Sequence, residues 1–306
     1  MAAKKKIKKI AKKVSTPILE KVETKKPHKI HVIKEKAKTF MELIRIGNCL
    51  MAAIAILIAF YLAGGFDFRI AALAAISGFL ICGAGQAIND YFDANIDAKT
   101  SKERPIPSGR IQAKRALLYS ISMFFLGVFA SFFINPTTVI IALIFAALLI
   151  AYPLFMNKVK YLGNIVVAGG TAITFIYGAA ATGNIPSLII FLAATAFLSN
   201  MGREVTKDIE DVKKDLGTKK TLPILMGINA SRFFVLMYYL LAVVGAMCVY
   251  LLFAIRYPMQ YYLVFTILSS LLFAYALVLL YKNNPIESQK ISKIAMLASL
   301  IAFLLI

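Results

Sequence analysis

A chain of 306 residues, 60% of them hydrophobic and 16% charged, with a mean hydropathy of +0.76, is too apolar for an ordinary water-soluble domain. The net charge of +20 is concentrated in an N-terminal stretch with 14 lysines in the first 38 residues. Cys49, Cys82 and Cys248 all lie in apolar runs, which excludes a disulfide framework or a cysteine metal site as the organising element.

The chain opens with a basic arm, residues 1–40, in which Ile7, Ile10 and Val14 share one helical face among lysines. A basic amphipathic or flexible cytoplasmic arm lying on anionic membrane lipids fits that pattern. A nucleic-acid tail is the rival reading, and the apolar chain behind it argues against a nucleic-acid partner. His28 and His31 read as solvated tail residues, and no apolar segment follows closely enough to make a signal peptide.

Nine apolar segments follow, at 46–64, 70–89, 116–134, 137–155, 161–182, 185–200, 229–254, 259–281 and 291–306. Most approach the roughly 17–25 residues a helix needs to cross a bilayer. Residues 41–306 are therefore expected to form an all-α, polytopic membrane helical bundle of about nine transmembrane helices. Gly64-Gly65-Phe66-Asp67, Asn135-Pro136, Gly183-Asn184-Ile185-Pro186 and Tyr257-Pro258 read as plain turns. Alternate connections differ sharply in charge. One set carries nearly all the lysine and arginine, and the other retains only Arg69 and Arg256. That bias predicts a multi-pass cell-membrane protein with its N-terminus cytoplasmic and its C-terminus outside.

The two long polar connections, near 90–115 and 201–228, hold nine of the 15 acidic residues. Asp90, Asp93 and Asp97 have the spacing D-x-x-D-x-x-x-D, and Asp208, Asp211 and Asp215 repeat it. On a helix these positions fall at about 0, 300 and 340 degrees, so three carboxylates gather on one side. Such a stack repels itself unless cations occupy it. Mg2+, two or more ions, is the expected guest, since it prefers carboxylate and phosphate oxygens and travels with substrate phosphates. Solvated loop charges paired with nearby lysines are the bland alternative, weakened by the repeated spacing beside uncharged spans. Asn89, Lys102, Arg104, Arg110 and Lys158 are candidates to contact phosphate oxygens. Arg45, Asn48 and Lys207 are candidates to line a substrate cavity, with Tyr91, Tyr152 and Tyr177 as aromatic faces for a cationic carbon. Arg45 could equally be a snorkelling interface residue.

The run Asn89-Asp90-Tyr91-Phe92-Asp93-Ala94-Asn95-Ile96-Asp97 resembles the first signature of the UbiA family of intramembrane prenyltransferases. Arg203-Glu204-Val205-Thr206-Lys207-Asp208-Ile209-Glu210-Asp211, with Asp215 beyond, resembles the second, and Lys102 to Arg110 is a further family-like stretch. The resemblance implies a helical bundle around a central cavity. It also implies that the six aspartates are catalytic, binding Mg2+ and an isoprenyl diphosphate donor. The wording of the second motif is most similar to the archaeal digeranylgeranylglyceryl phosphate synthases. That similarity implies transfer of a geranylgeranyl group to a lipid-soluble acceptor, geranylgeranylglyceryl phosphate. An aromatic acceptor such as a quinone precursor and a cation-coupled transporter are the alternatives. Carboxylates at helix ends rather than the bilayer midplane count against the transporter.

Overall fold

Inside a bilayer an unpaired backbone amide has no water to turn to, so each apolar segment closes its hydrogen bonds internally as a helix. The computed structural model describes residues 29–156, 161–217, 220–257 and 259–306, and residues 39–306 form one compact unit. The expected arm, residues 1–40, falls outside the described residues as far as residue 28, as does Lys158, and from Lys29 onward it is helical.

Among the described residues there are twelve α-helices and no strand. In chain order they are α1 (Lys29–Leu43), α2 (Ile46–Leu62), α3 (Phe68–Thr100), α4 (Ala113–Ser131), α5 (Pro136–Ala151), α6 (Leu162–Ala180), α7 (Ser187–Glu210), α8 (Val212–Asp215), α9 (Leu222–Met226), α10 (Ile228–Phe253), α11 (Gln260–Tyr281) and α12 (Pro285–Leu304). A π-helical turn, Tyr152–Met156, continues α5. Each of the nine expected spans has its helix. Seven are long and apolar enough to cross a membrane by themselves, and an eighth span is reached if the pair meeting at Arg45 counts as one broken helix. The last helix, α12, falls short on charge, because Glu287, Lys290 and Lys293 lie in its first half.

Three expected boundaries move by five residues or more, all at polar ends, and the segment read as 291–306 begins at Pro285. The segment read as 70–89 runs to Thr100, and the one read as 185–200 runs to Glu210. Charged residues were taken to end the helices, yet both helices continue through them and carry the aspartates with them. The turns on the other side are stopped locally. Asp67 caps α3 by accepting from the amides of Arg69 and Ile70, and Asn135 forms a reciprocal capping box with Thr138 ahead of α5.

Successive helices pack side by side, with α2 also against α6 and α7 also against α12. Lipid offers apolar side chains no less favourable a home than the core, so packing relies on small residues and hydroxyls. Ser77, Ser120, Ser231, Ser288 and Ser292 are wholly buried. Their hydroxyls donate across helices or back to a carbonyl: Ser77 to Gly127 at 2.8 Å, Ser120 to Ala84 at 2.9 Å, and Ser288 to Ala276 at 2.7 Å. Large apolar side chains instead face outward, including Phe125, Phe129, Phe132, Leu251 and Val264. An apolar exterior on this scale requires lipid around it.

Backbones meet closely between α2 and α6, where a Cβ at Gly178 would strike the carbonyl oxygen and Cα of Ile56. Backbone cannot yield as a side chain can, so Gly178→Ala should lower stability by about 1–3 kcal/mol. Gly169 on the same helix has open space where its Cβ would go, and Gly169→Ala should leave stability unchanged or slightly raised. Thermal unfolding of both variants in detergent checks the contrast.

Candidate functional site

The site begins at the polar end of α3. The helix is continuous through its aspartates, so Asp90, Asp93 and Asp97 lie on one face and are all buried, at 5%, 6% and 2% exposure. Burying three carboxylates together is unfavourable unless opposite charges come with them. The Arg45 guanidinium donates to Asp90 at 2.8 Å and to the Gln86 side chain at 2.6 Å. Arg104 donates to Asp97 at 2.5 Å and lies 3.7 Å from Asp90. Lys214 lies 3.7 Å from the other oxygen of Asp97 and donates to Ser101 at 2.9 Å.

At this range a pair of charges near a protein surface interacts by about 4 kcal/mol, attractive or repulsive. Four attractive contacts thus outweigh the mutual repulsion of the three aspartates. Arg104 shows the balance directly. Burial alone would lower its pKa, but Asp97 and Asp90 outweigh burial and hold it above the ordinary guanidinium value.

Arg45 occupies the break between α1 and α2 with φ 49 and ψ 60, the left-handed region that a side chain other than glycine's rarely adopts. Its bonds to Gln86 and Asp90 hold it there. The strain sits at a charged cluster, where such backbone is usually tied to function.

The second cluster has the same spacing but a different build. Asp208 lies in the last turn of α7, Asp211 caps its end at φ −87 and ψ 4, and Asp215 closes the short α8. Asn164 on α6 donates to Asp208 at 2.7 Å. Asp215 is buried, as is Glu204, which pairs with Arg203 at 2.8 Å and faces Lys207 at 3.8 Å. The break after α7 lets Lys214 reach the first cluster, so the two acidic regions are joined through Lys214, Asp97 and Ser101. Tyr152 lies within electrostatic reach of Asp93 on one side and Glu204, Asp208 and Asp215 on the other. Its hydroxyl would stand 2.6 Å from a Cβ on Gly163, so the glycine at the start of α6 makes room for it.

The other sequence candidates divide. Asn89 is half-buried beside Asp90, and the Tyr91 ring packs edge-on against Phe92 at 5.2 Å. Asn48 accepts from Lys293 at 3.3 Å. Lys102 is exposed. Arg110 clasps Glu42 through two bonds, at 2.5 and 2.8 Å, and also donates to the Glu103 carbonyl. Tyr177 is buried in the packing core and donates to Ser77 at 2.7 Å. Ser77 lies about 20 Å along α3 from Asp90 at 1.5 Å per residue, so Tyr177 is not beside the aspartates.

Lys214, Gln86, Asn164 and Glu204 were not singled out from the sequence. Gln86 and Glu204 precede Asp90 and Asp208 by one helical turn, and that spacing was the available signal.

Among the described residues no three acidic, histidine or cysteine side chains gather as a ready-made metal cage. Mg2+ is usually held by one or two carboxylates plus substrate phosphates rather than by protein alone. The hard oxygens of buried Asp90, Asp93, Asp97 and Asp215, with those of half-buried Asp208, are a fitting donor set.

Fold and site together define a polytopic membrane protein that gathers two carboxylate clusters at one end of an all-helical bundle. The model of the UbiA prenyltransferase family matches residues 50–301, and the chain belongs to that family. It is 38% identical over 286 residues to a digeranylgeranylglyceryl phosphate synthase of Methanosarcina mazei, covering 87% of this chain and 97% of that one. A solved structure concerning digeranylgeranylglyceryl phosphate synthase in membranes superposes with a TM-score of 0.70 at 33% identity, over 88% of this chain and 98% of that one. A UbiA homologue of Archaeoglobus fulgidus, solved with DMAPP and Mg2+, shares the fold with a TM-score of 0.64 at 16% identity. The coverage is 87% of this chain and 99% of that one.

Arg104→Gln should cost about 1–3 kcal/mol, less than a fully buried pair would, because the arginine is partly exposed. Adding Asp97→Asn to that variant should recover much of the loss. Unfolding midpoints of the two single variants and the double variant measure the coupling.

Proposed function

We propose that the protein transfers a geranylgeranyl group from geranylgeranyl diphosphate to geranylgeranylglyceryl phosphate, giving digeranylgeranylglyceryl phosphate and diphosphate. The observation that carries this reading is the junction of the two carboxylate clusters through Lys214. It makes one polyanion-binding centre out of two distant sequence motifs. The acceptor follows from the similarity to digeranylgeranylglyceryl phosphate synthases over nearly the whole chain.

In this reading the donor diphosphate lies between α3 and the α7–α8 junction. Asp90, Asp93, Asp97, Asp208, Asp211 and Asp215 would hold Mg2+ there, and the ion would supply screening of the leaving diphosphate's charge. Arg104 and Lys214 contribute fixed positive charge where negative charge grows as the allylic C–O bond breaks. The acceptor hydroxyl forms the new C–O bond, the diphosphate leaves with the electron pair, and the hydroxyl proton is released. Tyr152, within reach of both clusters, presents an aromatic face beside the cationic carbon. The apolar bundle keeps water from intercepting that carbon.

The unbroken α3, with its carboxylates at one end rather than at its middle, favours this enzyme over a cation-coupled transporter, whose sites are usually built on broken helices at the midplane. The charge bias of the loops further supports a cytoplasmic N-terminus and an outside C-terminus, with the basic arm against anionic lipids.

Purified protein given Mg2+, geranylgeranyl diphosphate and a panel of acceptors should prenylate geranylgeranylglyceryl phosphate, with products read by mass. EDTA should abolish transfer. Asp93→Asn and Asp208→Asn should each lower kcat/KM by about 100-fold or more, comparable to removing one transition-state electrostatic partner. Prenylation of a quinone precursor without prenylation of the glyceryl phosphate would overturn the acceptor assignment. Full activity in both aspartate variants would overturn the site.

A further inference from the structure

A second group of charges stands beside the aspartates, and of its members only Arg45 also neutralises a carboxylate of the first cluster. Lys293 on α12 donates to Asn48 on α2 at 3.3 Å and has no carboxylate partner among the described residues. Arg45 and Arg203 both lie within electrostatic reach of it. Arg203 pairs with Glu204 through one terminal nitrogen, yet its Nε is buried and has no hydrogen-bond partner.

The fold fixes this arrangement. Gly202 lets the Tyr239 ring lie directly against α7, and the Tyr239 hydroxyl meets Ser292 at 2.7 Å. Arg203 and Lys293 each follow one of these contacts by one residue, so their levels are locked together. The Lys293–Asn48 bond brings α2 to the same level.

Like charges do not assemble without a reason, and a buried N–H without an acceptor is destabilising. Positive-inside topology accounts for basic residues in loops, but not for an orphaned Nε inside a helix packing layer. Arg45, Arg203, Lys207 and Lys293 against Asp90 and Glu204 leave two positive charges. A phosphate monoester at neutral pH carries close to two negative charges.

We propose that Arg203, Lys293 and Arg45, with Asn48, form the subsite for the acceptor's phosphate monoester, distinct from the carboxylate site of the donor diphosphate. The assignment rests on the transfer reaction proposed above and names the part of the protein that selects a phosphorylated acceptor. Arg45 touches both sites, since its guanidinium also holds Asp90. A phosphate bound there places the hydroxyl on the neighbouring carbon next to the donor. Arg203 offers the unpaired Nε, and Lys293 supplies a mobile point charge at the open side. These are specificity-determining binding residues and take no part in breaking the allylic bond.

The test uses the full-length protein with Mg2+ and geranylgeranyl diphosphate. Geranylgeranylglyceryl phosphate and its dephosphorylated counterpart serve as acceptors. Lys293→Met and Arg203→Gln should each raise KM for the phosphorylated acceptor about tenfold, the usual scale of a lost charge-assisted hydrogen bond. Donor KM should change by less than about twofold, and the preference for phosphorylated over dephosphorylated acceptor should fall by the same factor as affinity. Lys293→Arg should restore most of it. Lys293 is exposed, so its removal tests binding without endangering the fold. An equal rise in donor KM, or an unchanged acceptor preference in both variants, would overturn the subsite while leaving the transfer reaction standing. Wild-type protein that fails to prenylate the glyceryl phosphate would overturn both.

Discussion

The constraint on which the site depends is the burial of three like charges on one face of α3. Asp90, Asp93 and Asp97 cannot be withdrawn from water together unless cations accompany them. The cations come from three separate parts of the chain. Arg45 precedes α2, Arg104 lies in the connection after α3, and Lys214 lies in α8. An electrostatic requirement at one helix end therefore ties together elements far apart in sequence. It also determines which backbone can be tolerated, because the left-handed Arg45 is held in place by the two side chains its guanidinium bonds.

The remainder of the bundle obeys a different economy. Apolar side chains gain nothing by leaving lipid for the core, so helices meet through glycines, alanines and serines and send their large residues outward. Such an interior is rigid where backbones touch, as at Gly178 and Ile56. That rigidity suits chemistry requiring two clusters at a fixed separation and an interior without water. Helix packing and catalysis thus divide α3. Ser77 in its first third bonds to α4 and receives Tyr177, while the last three turns carry carboxylates.

Much of this was legible in the sequence. Hydropathy located the nine apolar helices but not the polar α1, and the repeated aspartate spacing located both clusters. The helix ends were misplaced because charged residues were read as loop. At 90–100 the carboxylates are neutralised by Arg45, Arg104 and Lys214 from other elements, and at 201–210 Glu204 pairs with Arg203 and Lys207 on its own helix, so neither helix loses by continuing. Tyr177 and Arg110 show the converse limit. Residue type made them plausible at the site, but Ser77 and Glu42 engage them elsewhere. Lys214 was invisible for a third reason. In a chain so rich in lysine, nothing local marks the one that crosses to the other cluster.

The two matching motifs are not two copies of one structure, and geometry explains why they need not be. Along an unbroken helix, the spacing that gathers Asp208, Asp211 and Asp215 would turn Lys214 about 100 degrees away from Asp215. A lysine so placed would extend the second cluster's helix without bridging to the first. The interruption at Asp211 changes the direction of the following turn and delivers Lys214 to Asp97 and Ser101. The first motif must be continuous to bury three carboxylates on one face. The second must be broken to send a cation across. One spacing serves both because what it encodes is proximity among carboxylates, and each tertiary setting decides how the backbone delivers it.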